Sequence, residues 1–372
     1  MTRAVAYFGT YDPDYPRSAV VIAGLRELGV TVYEVRAPLP RLTAVEMTTP
    51  RGAARLAAAL AEAHVALLAQ LRGRVPADAL IVGYPGHFLV PLGRVVAALL
   101  HARLVFDPLV SLADTFAGDR GLVVEGGWKE RVVRAVDRAA FTLPDLVLAD
   151  TWAHAAYYRS VFRLPSRRLA VVPVGALPVP AADGSARRLQ AGEPLRVFQY
   201  GKWSPLHGAE TVVEAAHLLR NEPFRFVLAG EGQLSASLRR LIASRRLVNV
   251  EWMGSLAPSS LRAETLAADV CLGVFGRSKK AARVVPNKVY DALSCGRPVV
   301  TADTPGAREL LTDRVNAVLV PTADAESLAE ALRDLLDGGE RTRLGGGALA
   351  LYRGALTPSA VAGALLAALE QL

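Results

Sequence analysis

A chain of 372 residues is too long for one ordinary domain and suits two, each able to bury its own core. With 52% hydrophobic residues and a mean hydropathy of +0.26 it is not a disordered chain, yet no uninterrupted apolar run reaches the ~18 residues of a membrane helix. The formal charge of +8 divides into +5 over residues 1–175 and +3 over the rest, so neither part has the basic density of a nucleic-acid binder, and two cysteines, Cys271 and Cys295, exclude a disulfide framework or a cysteine zinc site.

The chain opens with a predicted strand, VAYFG, ending at Gly9. A loop, TYDPDYPR, then leads into a helix from about Ser18 to Leu28, with Ser18 as its N-cap and Gly29 as its stop. No signal peptide precedes Val5, and a reducing cytoplasm is expected. An Ala-rich helix follows near Arg51 to Leu71, then the strand ALIVGY, a helix, the strand RLVFDP, a helix, the strand LVLADT and the strand LAVVPVG. The apolar stretch Ala79 to Phe106 is broken by Pro85, His87, Pro91, Arg94, His101 and Arg103, so it reads as strand, loop and helix. Residues 177–194, rich in Ala, Pro and Gly, read as a linker between domains 1–176 and 195–355. A second alternating series then runs through RVFQY, FRFVLAGEG, NVEWMG, DVCLGVF, PVVTAD and AVLVP, and a last helix over residues 356–372 is expected to pack back on the first domain. Strands alternating with helices predict an α/β fold with two mostly parallel, doubly wound sheets.

Two segments of the second half carry chemistry. In RVVPNKVYDALSCGRP, from Arg283, Asn287 is placed to cap a helix whose first amides point positive charge outward, with Lys288 and Asp291 assigned to its first turn. A phosphate suits that helix start, and the acceptor-only Asp291 suits vicinal ribose hydroxyls, although a capped surface helix has the same look. In RVFQYGKWSPLHGAETVVEAAHLL, the loop carrying Gly201, Lys202, His207 and Gly208 lies at a strand's carboxyl end, where open α/β sheets bind ligands. Only five basic residues are lysines, and four of them, Lys202, Lys279, Lys280 and Lys288, lie in or beside these segments.

The series YGKWSPLHG, LAGEGQL, VEWMGSL, AADVCLGVF, PNKVYDALSCGRPVV and TADTPGARELL, in this order, resembles the donor-binding half of glycosyltransferase family 4. The likeness extends more weakly through FGTYDPDYPR, FDPLVSLADT, LADTWAH and VVPVG. It implies the GT-B architecture, two Rossmann-like domains facing across a cleft, and a retaining transfer from a nucleotide-diphosphate sugar to a carbohydrate or lipid-linked hydroxyl acceptor in bacterial surface polysaccharide or glycolipid assembly. Lys202 and His207 match the two basic positions that stabilise the leaving diphosphate, where the family has an Arg and a Lys. Arg283 and Asp291 match its two acidic positions eight apart: Arg283 departs sharply and is read as a donor contact to a phosphate or a sugar carboxylate, and Asp291 keeps the ribose role with one methylene fewer. Gly230, Glu231 and Gly232 match the loop that approaches the nucleotide.

In the first half Gly9, which ends a strand, is assigned to the donor phosphates, and Arg17, Ser111, Asp114 and His87 to the acceptor, with a helix-cap role competing for Asp114 and a structural one for His87. Asp107, after RLVFDP, is the candidate to take the acceptor's proton, with His154 ranked below it. No resident metal or tightly bound cofactor is expected, since any Mg2+ would ride on the diphosphate. Nucleic acid is not an expected partner. A peripheral membrane contact near Leu92 to Arg103, at the inner face, is held against an ordinary sheet-covering helix. A GT-B phosphorylase, a nucleotide-sugar epimerase and a binding or scaffold protein that has lost its chemistry remain the alternatives.

Overall fold

The computed structural model describes residues 2–40, 44–71, 75–180, 182–190 and 192–372. The chain divides into two compact units, Met1–Val174 with Pro358–Leu372, and Gly175–Thr357. The first runs β1 (Ala4–Gly9), α1 (Pro16–Glu27), β2 (Thr31–Arg36), α2 (Ala44–Met47), α3 (Pro50–Gln70), β3 (Ala79–Val82), α4 (Val90–Leu100), β4 (Arg103–Phe106), α5 (Trp128–Thr142), β5 (Leu146–Ala149), α6 (Trp152–Phe162) and β6 (Leu169–Val171). Its strands lie in the order β2-β1-β3-β4-β5-β6, all parallel. Segments such as ALIV and LVLA are apolar without alternation because helices cover both faces of the sheet.

The second unit runs β7 (Leu195–Tyr200), α7 (Ala209–Leu218), β8 (Phe224–Ala229), α8 (Ser235–Ser244), β9 (Val250–Met253), α9 (Pro258–Ala267), β10 (Val270–Leu272), α10 (Asn287–Ser294), β11 (Val299–Ala302), α11 (Pro305–Arg308), β12 (Val318–Val320), α12 (Ala325–Asp334) and α13 (Gly338–Leu351). The strand order is β12-β11-β10-β7-β8-β9, again parallel, so the winding direction reverses between β7 and β10. Its core joins Val197, Phe226, Leu228, Val270 and Val300 of the sheet to Val212 and Ala216 of α7 and Leu328 and Leu332 of α12.

The last helix, α14 (Pro358–Glu370), belongs to the first unit and packs against α1. Gly24 makes this possible, since a side chain there would collide with the carbonyl of Pro358.

Three local expectations change. Ser18 is not an N-cap: α1 begins two residues earlier with Pro16 at its first position, after Tyr15, and Ser18 is buried inside the helix. The edge strand β2, TVYEVR, is half-exposed and interleaves charge with apolar residues, a weak signal that the motif reading passed over. The described part of residues 177–194 belongs to the second unit and is anchored there: Arg187 bonds Asp269 (2.9 Å), and Leu189 packs on the core. Ala181 and Ala191 of that stretch lie outside the described residues.

Candidate functional site: a glycine cradle in the second unit

Ligands of open α/β sheets bind outside the carboxyl ends of the strands where the winding reverses. At that point β7 ends on Tyr200, and the chain continues through Gly201, Lys202, Trp203 and Ser204 into a 3₁₀ turn, Pro205–His207. Trp203 is fully buried, and its Nε1 donates to the carbonyl of Gly230 (2.8 Å), tying this loop to the one after β8. Gly230 has φ +122°, and side chains at Gly230 and Gly232 would collide with the carbonyls of Gly201 and Lys202. These glycines are therefore required by the packing of the two loops. Glu231, between them, is engaged by Arg239, whose guanidinium lies 4.9 Å from the Trp252 ring centroid.

Ser204 caps the 3₁₀ turn, and its backbone N–H donates to Nδ1 of His207 (3.2 Å). With Nδ1 an acceptor, the neutral imidazole carries its proton on Nε2. That nitrogen occupies the space a side chain at position 201 would need. The amine of Lys288 lies 3.2 Å from the same point. Two nitrogen donors from different elements thus converge over a residue that has no side chain.

Lys288 is the second residue of α10. It is 5% exposed, and its amine has no hydrogen-bond partner among the described residues. The amine lies 5.9 Å from the Tyr200 ring centroid, and burial draws its pKa down to about 7. Asp291, one turn further along, is half-buried and accepts the Tyr200 hydroxyl; burial raises its carboxyl above the ordinary range, and the tyrosine opposes that.

The helix start differs from expectation. Pro286, in extended conformation, is the N-cap of α10, no side chain caps the helix, and Asn287 is its first helical residue. Asp291 consequently falls beyond the first turn. Arg283 lies in the turn before α10, and its backbone lies against α11, where a side chain on Gly306 would stand 2.6 Å from the Arg283 carbonyl carbon. Lys202 has an exposed side chain on the β7 loop.

The first unit places most of its expected residues in its own framework. Arg17 is 1% exposed: its Nε donates to Asp107 (2.7 Å), and its NH1 donates to the carbonyls of Val172 (2.9 Å) and Pro173 (2.6 Å). Asp107 is equally buried in this pair, so neither residue presents a free charge, and the roles of proton acceptor and acceptor contact give way to a structural one. Ser111 is fully buried and donates to Asp137 (2.7 Å), which also takes the backbone N–H groups of Leu112 and Ala113. His87 is buried with Nε2 2.9 Å from the carbonyl of Val110, and burial lowers its pKa, with Asp137 opposing. It is a core histidine and not an acceptor contact. His154 is held by Asp150 (2.7 Å). Asp114 stays half-buried at the start of a π-helical turn, Asp114–Asp119, and Gly9 ends β1 at φ +129°.

Sequence reasoning missed Tyr200 and Ser204. A Ser-Pro pair two residues before His207 was an available sign of a capped turn. Nothing local marks Tyr200, whose partner is 91 positions away.

Residues 195–338 match the family described as glycosyl transferases group 1. Over that region the chain is similar to the group 1 glycosyl transferases. Among curated relatives, the amylovoran biosynthesis glycosyltransferase AmsK of Erwinia amylovora is 27% identical over 150 residues, 39% of this chain and 37% of that protein. The D-inositol 3-phosphate glycosyltransferase of Xylanimonas cellulosilytica is 31% identical over 227 residues, 56% and 53% respectively. The matches thus span between about a third and a half of the length of these relatives. Anabaena HepE in complex with UDP-glucose superimposes with a TM-score of 0.67 at 16% identity over the full length of both chains. Sucrose-phosphate synthase from Thermosynechococcus elongatus gives 0.72 at 17% identity, covering 99% and 98%. The fold of the chain is the two-domain α/β GT-B fold.

Proposed function

We propose that the protein is a retaining glycosyltransferase that moves a sugar from a nucleotide-diphosphate sugar to a hydroxyl acceptor. The observation that carries this reading is the convergence of His207 Nε2 and the Lys288 amine over Gly201, in front of a helix start that no side chain caps. A diphosphate offers acceptor oxygens to both nitrogens and to the first amides of α10. Asp291 retains lone pairs for ribose hydroxyls beside its bond from Tyr200. Lys202, exposed on the same loop, adds positive charge where the diphosphate departs, and is assigned the catalytic role.

In this reading the acceptor oxygen bonds to the anomeric carbon on the face from which the diphosphate leaves. The departing phosphate oxygen takes the acceptor's proton, so the protein orients and supplies charge and needs no nucleophile of its own. Asp107, bonded to Arg17, is structural here and takes no proton. The donor cradle is built of nitrogen donors and has no carboxylate at its centre, and the described residues contain no group of three or more His, Cys, Asp and Glu side chains able to hold a metal. The residues do not fit a resident ion, and Mg2+ enters, if at all, as part of the substrate diphosphate.

The UDP-glucose complex of HepE supports a nucleotide sugar as donor, and relatives named for amylovoran and colanic acid biosynthesis support a role in bacterial surface polysaccharide assembly with a carbohydrate or lipid-linked acceptor. The test is incubation with UDP-, GDP-, ADP- and dTDP-sugars and sugar acceptors. Release of nucleotide diphosphate with a new glycoside of the donor's anomeric configuration is expected. Epimerised donor or sugar 1-phosphate as the sole product overturns the reading. Arg283, in place of an acidic residue, favours a second reading, a nucleotide-sugar binding protein without turnover. Lys202→Ala separates the two: in an enzyme it lowers kcat about 10²–10³-fold with an unchanged melting temperature.

A further inference from the structure

Among the polar side chains of the second unit, Lys288 is unusual in combining deep burial with an amine that has no hydrogen-bond partner among the described residues. A buried cation without a partner is costly, and its four-carbon stem would ordinarily carry it to solvent. Here the stem is packed in the first turn of α10, and the amine stands 3.2 Å from the point over Gly201 where the His207 ring lies. The groups facing it are Tyr200 from β7 and His207 from the 3₁₀ turn, with Asp291 on its own helix bound to Tyr200. Arg262 of α9 acts on Asp291, and Asp291 on Cys271 of β10, but neither Arg262 nor Cys271 acts on the amine. Arg341 of α13 and Arg353 beyond it donate to the carbonyls of Leu335 and Ala182. No counter-charge among these offsets the burial of the amine.

We infer that Lys288 is the residue that selects a diphosphate in this cradle, and that it does so by taking up one proton when the anion binds. The inference rests on the donor-site reading above. Empty, the cradle holds a neutral amine beside an imidazole that donates from Nε2 without needing a second proton. A diphosphate supplies the missing counter-charge and restores the ordinary lysine titration, so that the bound amine stays cationic up to about pH 10. A nucleoside or monophosphate that reaches the ribose contacts but not the cradle gains nothing from this exchange. Between pH 7 and about pH 10 the affinity for a diphosphate then falls close to tenfold per pH unit, since the amine must be protonated to bind it.

The experiment is calorimetric titration of the full chain with UDP, GDP, ADP and dTDP at pH 8, in two buffers of different ionisation enthalpy. Wild type should take up close to one proton per diphosphate bound, with no such uptake for the matching nucleoside. Lys288→Met should bind at least tenfold more weakly without uptake, and Lys288→Arg should bind without uptake because its charge is permanent. Lys288→Met removes a buried ionisable group, so it should melt no lower than wild type, most clearly at pH 6. Binding without uptake, or uptake that persists in Lys288→Met, overturns the inference and leaves the donor site standing. No binding of any of the four diphosphates overturns both.

Discussion

A methyl group on Gly201 would stand where the His207 ring and the Lys288 amine now meet. Gly201→Ala should therefore weaken nucleotide-diphosphate binding by roughly tenfold or more, about 1.4 kcal/mol, while nucleoside binding changes far less. Equilibrium titration of both ligands checks this, and equal losses for the two would assign the glycine to folding alone. The Arg17–Asp107 pair carries the opposite expectation. Both groups are buried and bonded to each other, so Asp107→Ala strands a cation and should cost about 3–5 kcal/mol in urea unfolding. A variant of wild-type stability that merely lost turnover would restore Asp107 to the chemistry. Residue types alone suggested both sets of roles, and the outcome differs for a physical reason. His207 and Lys288 bring two nitrogens together at a point where Gly201 has no side chain, while the charges of Arg17 and Asp107 are consumed inside the sheet's own framework.

At the scale of elements, the close approach of α1 to α14 depends on Gly24. Gly24→Val should force the helices apart, at roughly 1–3 kcal/mol of overpacking, and expose the Thr357–Pro358 junction to limited proteolysis. Protease resistance equal to wild type would show that α14 tolerates the shift. The strands inside the two sheets were legible because long apolar runs such as ALIV and FRFVLA are set off by Gly, Pro and Asp at their ends. Helix starts were less so: Ser18 and Asn287 are good capping residues, yet Pro16 and Pro286 set where α1 and α10 begin. Residues 177–194 looked like a linker by composition, but composition cannot register a distant partner such as Asp269, 82 positions from Arg187. The same limit hid Tyr200, whereas the cradle's own residues were visible because they cluster in two short segments.

On the whole-molecule scale, the first unit exposes apolar side chains on two helices: Val65 and Leu68 of α3, and Val95 and Leu99 of α4, the last 73% exposed. By length and composition α3 would also suffice to cross a membrane, which the run-length reading of the sequence had excluded. The second unit carries the central claim, that the Lys288 amine and His207 Nε2, which converge beside Gly201, hold the diphosphate of a nucleotide sugar. A crystal structure of the full chain with bound UDP tests it most directly. The β-phosphate is predicted to lie within hydrogen-bond distance of Lys288 Nζ and His207 Nε2, with a ribose hydroxyl on Asp291. UDP bound elsewhere, or with its phosphates turned away from those two nitrogens, would contradict it.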